Sequence, residues 1–165
     1  MTIEISATHP QPTHPGLIRV VKCPGEYMSY AVADRDIEKN QVLSYLDKAT
    51  LAKNAYTSVQ VSPTEHIELN SDLVYINHSC EPNVAFVVGI GGGVHDYYLK
   101  SLKNISKGEA LEFFYPSTEY SMSQPFKCLC NTKSCLGEIK GAESIDKDTL
   151  NQFPLNDHIK LLKSL

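Results

Sequence analysis

The chain has 165 residues, 42% of them hydrophobic and 21% charged, with a formal net charge of −4. That length supports one domain with a core of its own, not dependent on disulfides. The mild acidity argues against broad electrostatic binding to DNA or RNA and is compatible with a basic peptide partner.

The first residues, MTIEISATHPQPTHPGL, hold no apolar run of the kind a signal peptide needs, and no later run is long enough to span a membrane. The expectation is a soluble, intracellular protein, nuclear or cytoplasmic. Residues 1–16 carry three prolines and little hydrophobic pattern, which predicts an irregular arm. LIRVV, SYAVA and QVLSYL then read as short strands, with breaks at Pro24-Gly25 and around Glu38 to Asn40. SVQVS, HIELN and LVYIN continue the strand pattern. NVAFVVGIGGGVHDYYLKSL predicts a hairpin around a Gly-rich turn. The glycines Gly91 to Gly93 fit that turn. They lack the further glycine of a dinucleotide fingerprint, and no Lys-Ser/Thr follows for a phosphate loop. ALEFFY is another strand, introduced by the turn SKGE. PLNDHIKLLKSL is the best helix, with Pro154 near its start, Asn156 or Asp157 as cap, and Ile159, Leu161, Leu162 and Leu165 as its apolar residues. The expected architecture is mostly β, built of many short strands, with a small helical end.

Five cysteines are an odd number, so a closed disulfide framework would leave one over. In a reducing compartment a cluster of them points to metal. KCLCNTKSCLG sets Cys128, Cys130 and Cys135 in a C-x-C-x4-C arrangement. Residues two apart on a strand face the same way, so Cys128 and Cys130 can share one ion, and the loop between can fold Cys135 back to it. Three thiolates leave a tetrahedral zinc one ligand short, and the candidates for the fourth are Cys23, Cys80 or a histidine. Buried cysteines acting as small hydrophobes are a fair reading of Cys23. They are a poor reading of three cysteines within eight positions among Lys, Asn, Thr and Ser. An iron–sulfur cluster also uses four thiolates, but the spacing matches neither ferredoxin pattern.

With these residues in view the sequence resembles the SET-domain family of protein-lysine methyltransferases, with a post-SET segment. YINHSCEPNV, from Tyr75 to Val84, resembles the family's Asn-His-Ser-Cys-x-Pro-Asn motif. GEALEFFY, Gly108 to Tyr115, resembles the strand that ends in the catalytic tyrosine. CLCNTKSC followed by Leu-Gly resembles the post-SET zinc motif, and AVADRDIEKNQVL is similar to the family's Ala-x-Arg-Asp-Ile-x-Lys-Gly stretch. The resemblance covers roughly residues 17 to 141. It implies a β-clip type SET fold of several small β-sheets with a C-terminal pseudoknot, S-adenosylmethionine as methyl donor, and one structural zinc held by Cys80, Cys128, Cys130 and Cys135. The domain expectation is an arm at 1–16, a SET domain at 17–120, a post-SET zinc segment at 121–141 and a helical tail at 142–165.

Carried over residue by residue, the resemblance makes Tyr115 the catalytic tyrosine, with Tyr75 lining the same channel. Asn77 and His78 match the cofactor-binding pair, and Phe126 or Leu129 covers the adenine. The ungapped alignment puts Met28 and Tyr30 where the family usually has a Gly-x-Gly beside the cofactor, and Phe114 where it usually has an aspartate. Glycine permits close backbone approach that a side chain blocks. The implied partner is a protein or peptide carrying lysine, a histone included, with no direct nucleic acid and no membrane. A SET fold acting as a binding module, or on a small metabolite, is the alternative that the two departures leave open.

Overall fold

The computed structural model describes residues 9–25, 28–89, 91 and 93–165. Among them the strands form five small sheets. β1 (Ile18–Val21) pairs antiparallel with β2 (Tyr30–Ala33). β3 (Val42–Tyr45), β8 (Val84–Val87) and β9 (Tyr98–Ser101) make a three-stranded sheet in the order β3-β9-β8. β4 (Thr50–Ala52), β5 (Val59–Gln60) and β6 (His66–Glu68) make another in the order β4-β6-β5. β7 (Asn77–His78) lies parallel to β10 (Glu112–Phe113), and β11 (Phe126–Lys127) pairs with β12 (Glu138–Ile139). Short pieces suit a fold whose chain turns often, and the apolar residues of several sheets meet in one core that includes Ile18, Ala31, Ile67, Phe86, Leu99 and Leu111.

The predicted strands at 17–21, 29–33, 41–46, 58–62 and 66–70 each contain a strand of the structure. The hairpin pairs Val84–Val87 with Tyr98–Ser101, as expected; Ile90 and Gly92 of its turn lie outside the described residues, as do residues 1–8 of the arm. Two expectations are corrected. LVYIN is not a strand throughout: Asp72–Tyr75 is a 3-10 turn, and only Asn77 enters a ladder. ALEFFY is a strand only over Glu112–Phe113, because Pro116 favours the 3-10 turn that follows at Tyr115–Ser117. Three short elements had no strong sequence signal: β4, the β11–β12 hairpin, and the helix α1 (Lys147–Leu150).

The described part of the arm is tied down by one buried carboxylate. Asp72, 2% exposed, accepts from Gln11 Nε2, from the backbone N–H of Thr13 and from His9 Nε2, all at 2.9 Å. These bonds to its ionised form hold its carboxyl below the usual range although burial pushes the other way.

The helix expected in PLNDHIKLLKSL is present. α2 (Asp157–Lys163) follows Asn156, whose side chain, rather than capping the helix, donates to the carbonyls of Phe86 and Ser117 and accepts from Val88 N–H. Ile159 is fully buried, but Leu161 is 68% exposed, so the apolar stripe is narrower than the sequence suggests. The second core explains Phe114. Its ring, 1% exposed, stacks on Phe153 with centroids 3.7 Å apart, among Ala142, Leu150 and Ile159. Phe114, which stands where the resembled family usually has an aspartate, is the anchor for the C-terminal tail. Phe114→Ala is expected to cost about 3–5 kcal/mol of unfolding free energy. Urea titration of the two proteins checks this, and equal midpoints would contradict the anchor.

Candidate functional site

The Asn-His motif is fixed from both sides. The parallel pairing sets Asn77 opposite Glu112 and His78 opposite Phe113, and Ser79 N–H continues the ladder to the Phe113 carbonyl. Asn83 stitches the motif to the same strand, donating from Nδ2 to the Ala110 carbonyl and accepting Glu112 N–H at its Oδ1. The next contact aligns two candidate residues. Tyr115 donates its backbone N–H to His78 Nδ1 at 3.1 Å, so the imidazole lone pair sits on Nδ1 and Nε2 carries the hydrogen. Nε2 lies 3.4 Å from the Cys80 sulfur. Burial pushes the His78 pKa down to about 4, and the ring is neutral at physiological pH.

A cavity of about 560 Å³ opens beside this pair, within the usual size range of small-molecule sites. Its walls include Tyr75, Asn77, His78, Tyr115, Phe126 and Leu129. Asn77 Nδ2 donates to the Ser29 carbonyl at 3.2 Å, tying the motif to the loop before β2. Met28 lines the cavity and is 54% exposed, its side chain lying over Gly25, whose φ of +111° suits glycine. Tyr30 does not line it; it is the first residue of β2, paired with Val21. Tyr75 is 2% exposed, and its hydroxyl accepts from Lys22 Nζ at 2.6 Å. The Tyr115 ring packs edge-on to His78 and Phe126, with centroids 5.3 and 5.8 Å away. Burial, with Glu119 and Glu112 adding negative charge, holds its phenol well above the ordinary value, so the hydroxyl keeps its proton.

Another wall comes from residues 121–141. This excursion closes on itself: Met122 N–H bonds the Lys140 carbonyl, and Ala142 N–H bonds the Glu119 carbonyl. Gly141 makes the closure possible, since a Cβ there would collide with the Tyr120 carbonyl. Inside it, Cys128, Cys130 and Cys135 converge on Cys80, and the four sulfurs lie within 4.8 Å of one another. Cys80 and Cys128 are 3.9 Å apart. Tetrahedral zinc–thiolate bonds of 2.3 Å would set sulfurs about 3.8 Å apart, so the donor set fits such an ion. Cys23 stands outside the cluster. Leu136 N–H donates to the Cys80 sulfur, and Cys130 contacts Thr132 Oγ1 at 3.2 Å. Burial pushes Cys80 up to about 11, and a bound cation is what would favour its thiolate. Cys130 also lines the cavity, which places the cluster directly in its wall.

Sequence reasoning missed the far side of the cavity, Asn54 to Val59, and Glu119. Glu119 follows Tyr115 by four residues, and its N–H bonds the Tyr115 carbonyl at 2.9 Å, one turn on. That spacing was the available signal. Its side chain is 10% exposed; Oε2 accepts Gln60 N–H at 3.0 Å, and Oε1 lies 4.0 Å from His66 Nδ1. Burial outweighs the bonds from Gln60 and Thr118 and pushes its carboxyl up to about 7.

Comparison with known proteins matches residues 29–116 to the SET-domain family model. The chain is 38% identical over 158 residues to the methyltransferase flvH of Aspergillus flavus, covering 95% of this chain and 86% of that one. It is 35% identical over 77 residues to the H3 lysine-9 specific histone-lysine N-methyltransferase dim-5 of Neurospora crassa, covering 38% of this chain and 23% of that one. A crystal structure of KRYPTONITE, in complex with DNA, an H3 peptide and SAH, superposes with a TM-score of 0.55 at 18% identity, over 73% of this chain and 29% of that chain. No described helix is long and apolar enough to cross a membrane.

The raised pKa of Glu119 carries a linkage of definite sign. Its folded form binds a proton more tightly than the unfolded chain, so this contribution to stability falls as pH rises from about 4.5 through about 7. Glu119→Gln should remove a pH-dependent loss on the order of 3 kcal/mol between those limits. Urea midpoints of both proteins at the two ends of that range test this; parallel pH profiles would contradict it.

Proposed function

The chain belongs to the SET-domain family of methyltransferases, and on that premise we propose that it moves a methyl group from S-adenosylmethionine to the side-chain amine of a protein lysine. One observation carries the reading: a single cavity collects Tyr115, Tyr75, Asn77, His78, Phe126 and Leu129, with the cysteine cluster in its wall. The proposed working parts are a SET domain at 17–120 and a zinc segment at 121–141, with residues 1–16 as arm and 142–165 as tail.

Bound S-adenosylmethionine supplies an electrophilic methyl on a sulfonium sulfur. Asn77 and His78 would hold the donor's polar groups through the strand they occupy, while Phe126 and Leu129 cover its apolar face. Met28, over Gly25, forms the edge of the same space where the family usually leaves a gap. The protonated phenol of Tyr115 is available to hydrogen-bond the incoming amine and aim its lone pair. Its hydroxyl also lies 3.4 Å from the Ile76 carbonyl, a contact that helps fix the ring. Tyr75, tethered by Lys22, narrows the approach. Aligned, desolvated reactants supply most of the rate enhancement such a displacement needs.

Zinc on Cys80, Cys128, Cys130 and Cys135 would act structurally, closing the segment that carries Phe126 and Leu129. A small-molecule amine is the second reading, favoured by a cavity of about 560 Å³, the size of a small-molecule site.

Two outcomes are expected. Protein purified without added metal holds about one equivalent of zinc per chain, and Cys128→Ser loses it together with the protease resistance of residues 121–141. Metal analysis and limited proteolysis read this; a metal-free chain that resists protease contradicts it. Labelled S-adenosylmethionine, offered with core histones, cell extract and its small-molecule fraction, should mark an acceptor, and Tyr115→Phe should lower the rate about a hundredfold. Label in the protein fraction supports the lysine reading, and label confined to the small-molecule fraction selects the second. Absence of label in every fraction, with no binding of the donor, contradicts both.

A further inference from the structure

The cavity contains a titratable group to which the reading above gives no duty. Two acidic residues line the cavity, Glu112 on the strand paired with Asn77 and Glu119, whose charge is the stronger influence on the Tyr115 phenol; Glu119 is the group in question. Its backbone is held at both ends, by N–H to the Tyr115 carbonyl and by its own carbonyl to Ala142 N–H. Gln60 fixes it further: Gln60 N–H holds Glu119 Oε2, and Gln60 Oε1 accepts Tyr120 N–H at 2.9 Å. A carboxyl so positioned, one turn after the catalytic tyrosine and in the same cavity wall, cannot swing away to solvent.

We infer that Glu119 is the cavity's amine-recognition group, receiving the acceptor as an alkylammonium ion and taking one proton from it before methyl transfer. The step balances. The ammonium N–H bond breaks, the proton passes to the carboxylate as an O–H, and the freed nitrogen lone pair forms the N–C bond while the S–C electron pair leaves with sulfur. The inference rests on the amine-methylation reading of the cavity, for protein and small-molecule acceptors alike. The groups facing Glu119 are consistent with it. His66 on β6, 4.0 Å away, is held toward the neutral form by burial, and Tyr115 keeps its proton, so among the described residues no lysine or arginine pairs with the carboxylate. His158, behind His66, is likewise held toward the neutral form by burial. A buried acid whose affinity for protons has been raised toward neutrality suits a base that works near physiological pH.

The probe is n-butylamine, an alkylammonium without peptide, titrated into the zinc-loaded chain with and without S-adenosylhomocysteine at mildly alkaline pH. Calorimetry is run on the native chain, Glu119→Gln and Glu119→Asp, and infrared difference spectra follow the carboxylic-acid C=O band. The native chain should bind the amine and gain that band on binding. Glu119→Gln should weaken amine binding at least about tenfold and show no band, while its affinity for S-adenosylhomocysteine stays within about twofold. Glu119→Asp, which keeps the charge, should retain part of the amine binding even if Glu119→Gln proves unstable. Equal amine affinity in the native chain and the variants overturns the inference, as does amine binding with no new band, or no amine binding by the native chain. Failure to bind S-adenosylhomocysteine counts against the cofactor reading alone, because the amine is also titrated in its absence.

Discussion

Four sulfurs from two distant parts of the chain meet in one place, and the cavity depends on that meeting. Cys80 sits two residues after His78, and Cys128, Cys130 and Cys135 belong to an excursion that leaves and re-enters the fold at neighbouring backbone positions. The excursion's own pairing is slight, a two-residue hairpin with further backbone bonds from Met122 to Lys140, Cys128 to Gly137 and Cys135 to Thr132. Two strands of that length are marginal by themselves. Ile139 is fully buried against Cys80 and Cys128, so the sulfur cluster doubles as a small core. An ion binding four thiolates would lock this segment and, with it, Phe126 and Leu129 over the cavity.

From that closure the rest of the site follows by short covalent steps. The strand pairing that carries Cys80 also carries Asn77 and His78, and the hydrogen bond from Tyr115 N–H to His78 Nδ1 transmits the alignment to the phenol. One turn further, Glu119 returns to the same space. The second core, built on the Phe114–Phe153 stack, pins the tail behind this turn. Phe114 faces away from the acceptor problem and into packing, while its neighbour Tyr115 faces the cavity.

Much of this was legible in the sequence because it rests on local pattern. Alternating apolar runs marked most strands, and C-x-C-x4-C with a cysteine at the end of the Asn-His motif pointed to a cluster that the structure brings together. What the sequence hid was decided by tertiary contact. Leu73 to Tyr75 look like strand residues, but the neighbouring Asp72 is drawn into bonds with the arm and the backbone turns. ALEFFY is cut short by Pro116. Leu161 is apolar yet exposed, because the side of α2 turned inward carries His158 and Ile159, with Leu162 half-buried. Glu119 reads as an ordinary polar turn residue until Gln60, a distant strand residue, is seen to bury it. Met28 and Tyr30, alike in the alignment, part company in space, since Met28 borders the cavity and Tyr30 enters β2.

The central claim is that metal closure builds the donor site, and calorimetry with S-adenosylmethionine before and after stripping the metal with a chelator tests it most directly. The account predicts one site per chain in the zinc-loaded protein, lost on stripping and restored by adding zinc back. Equal binding by the stripped, metal-free chain would contradict it.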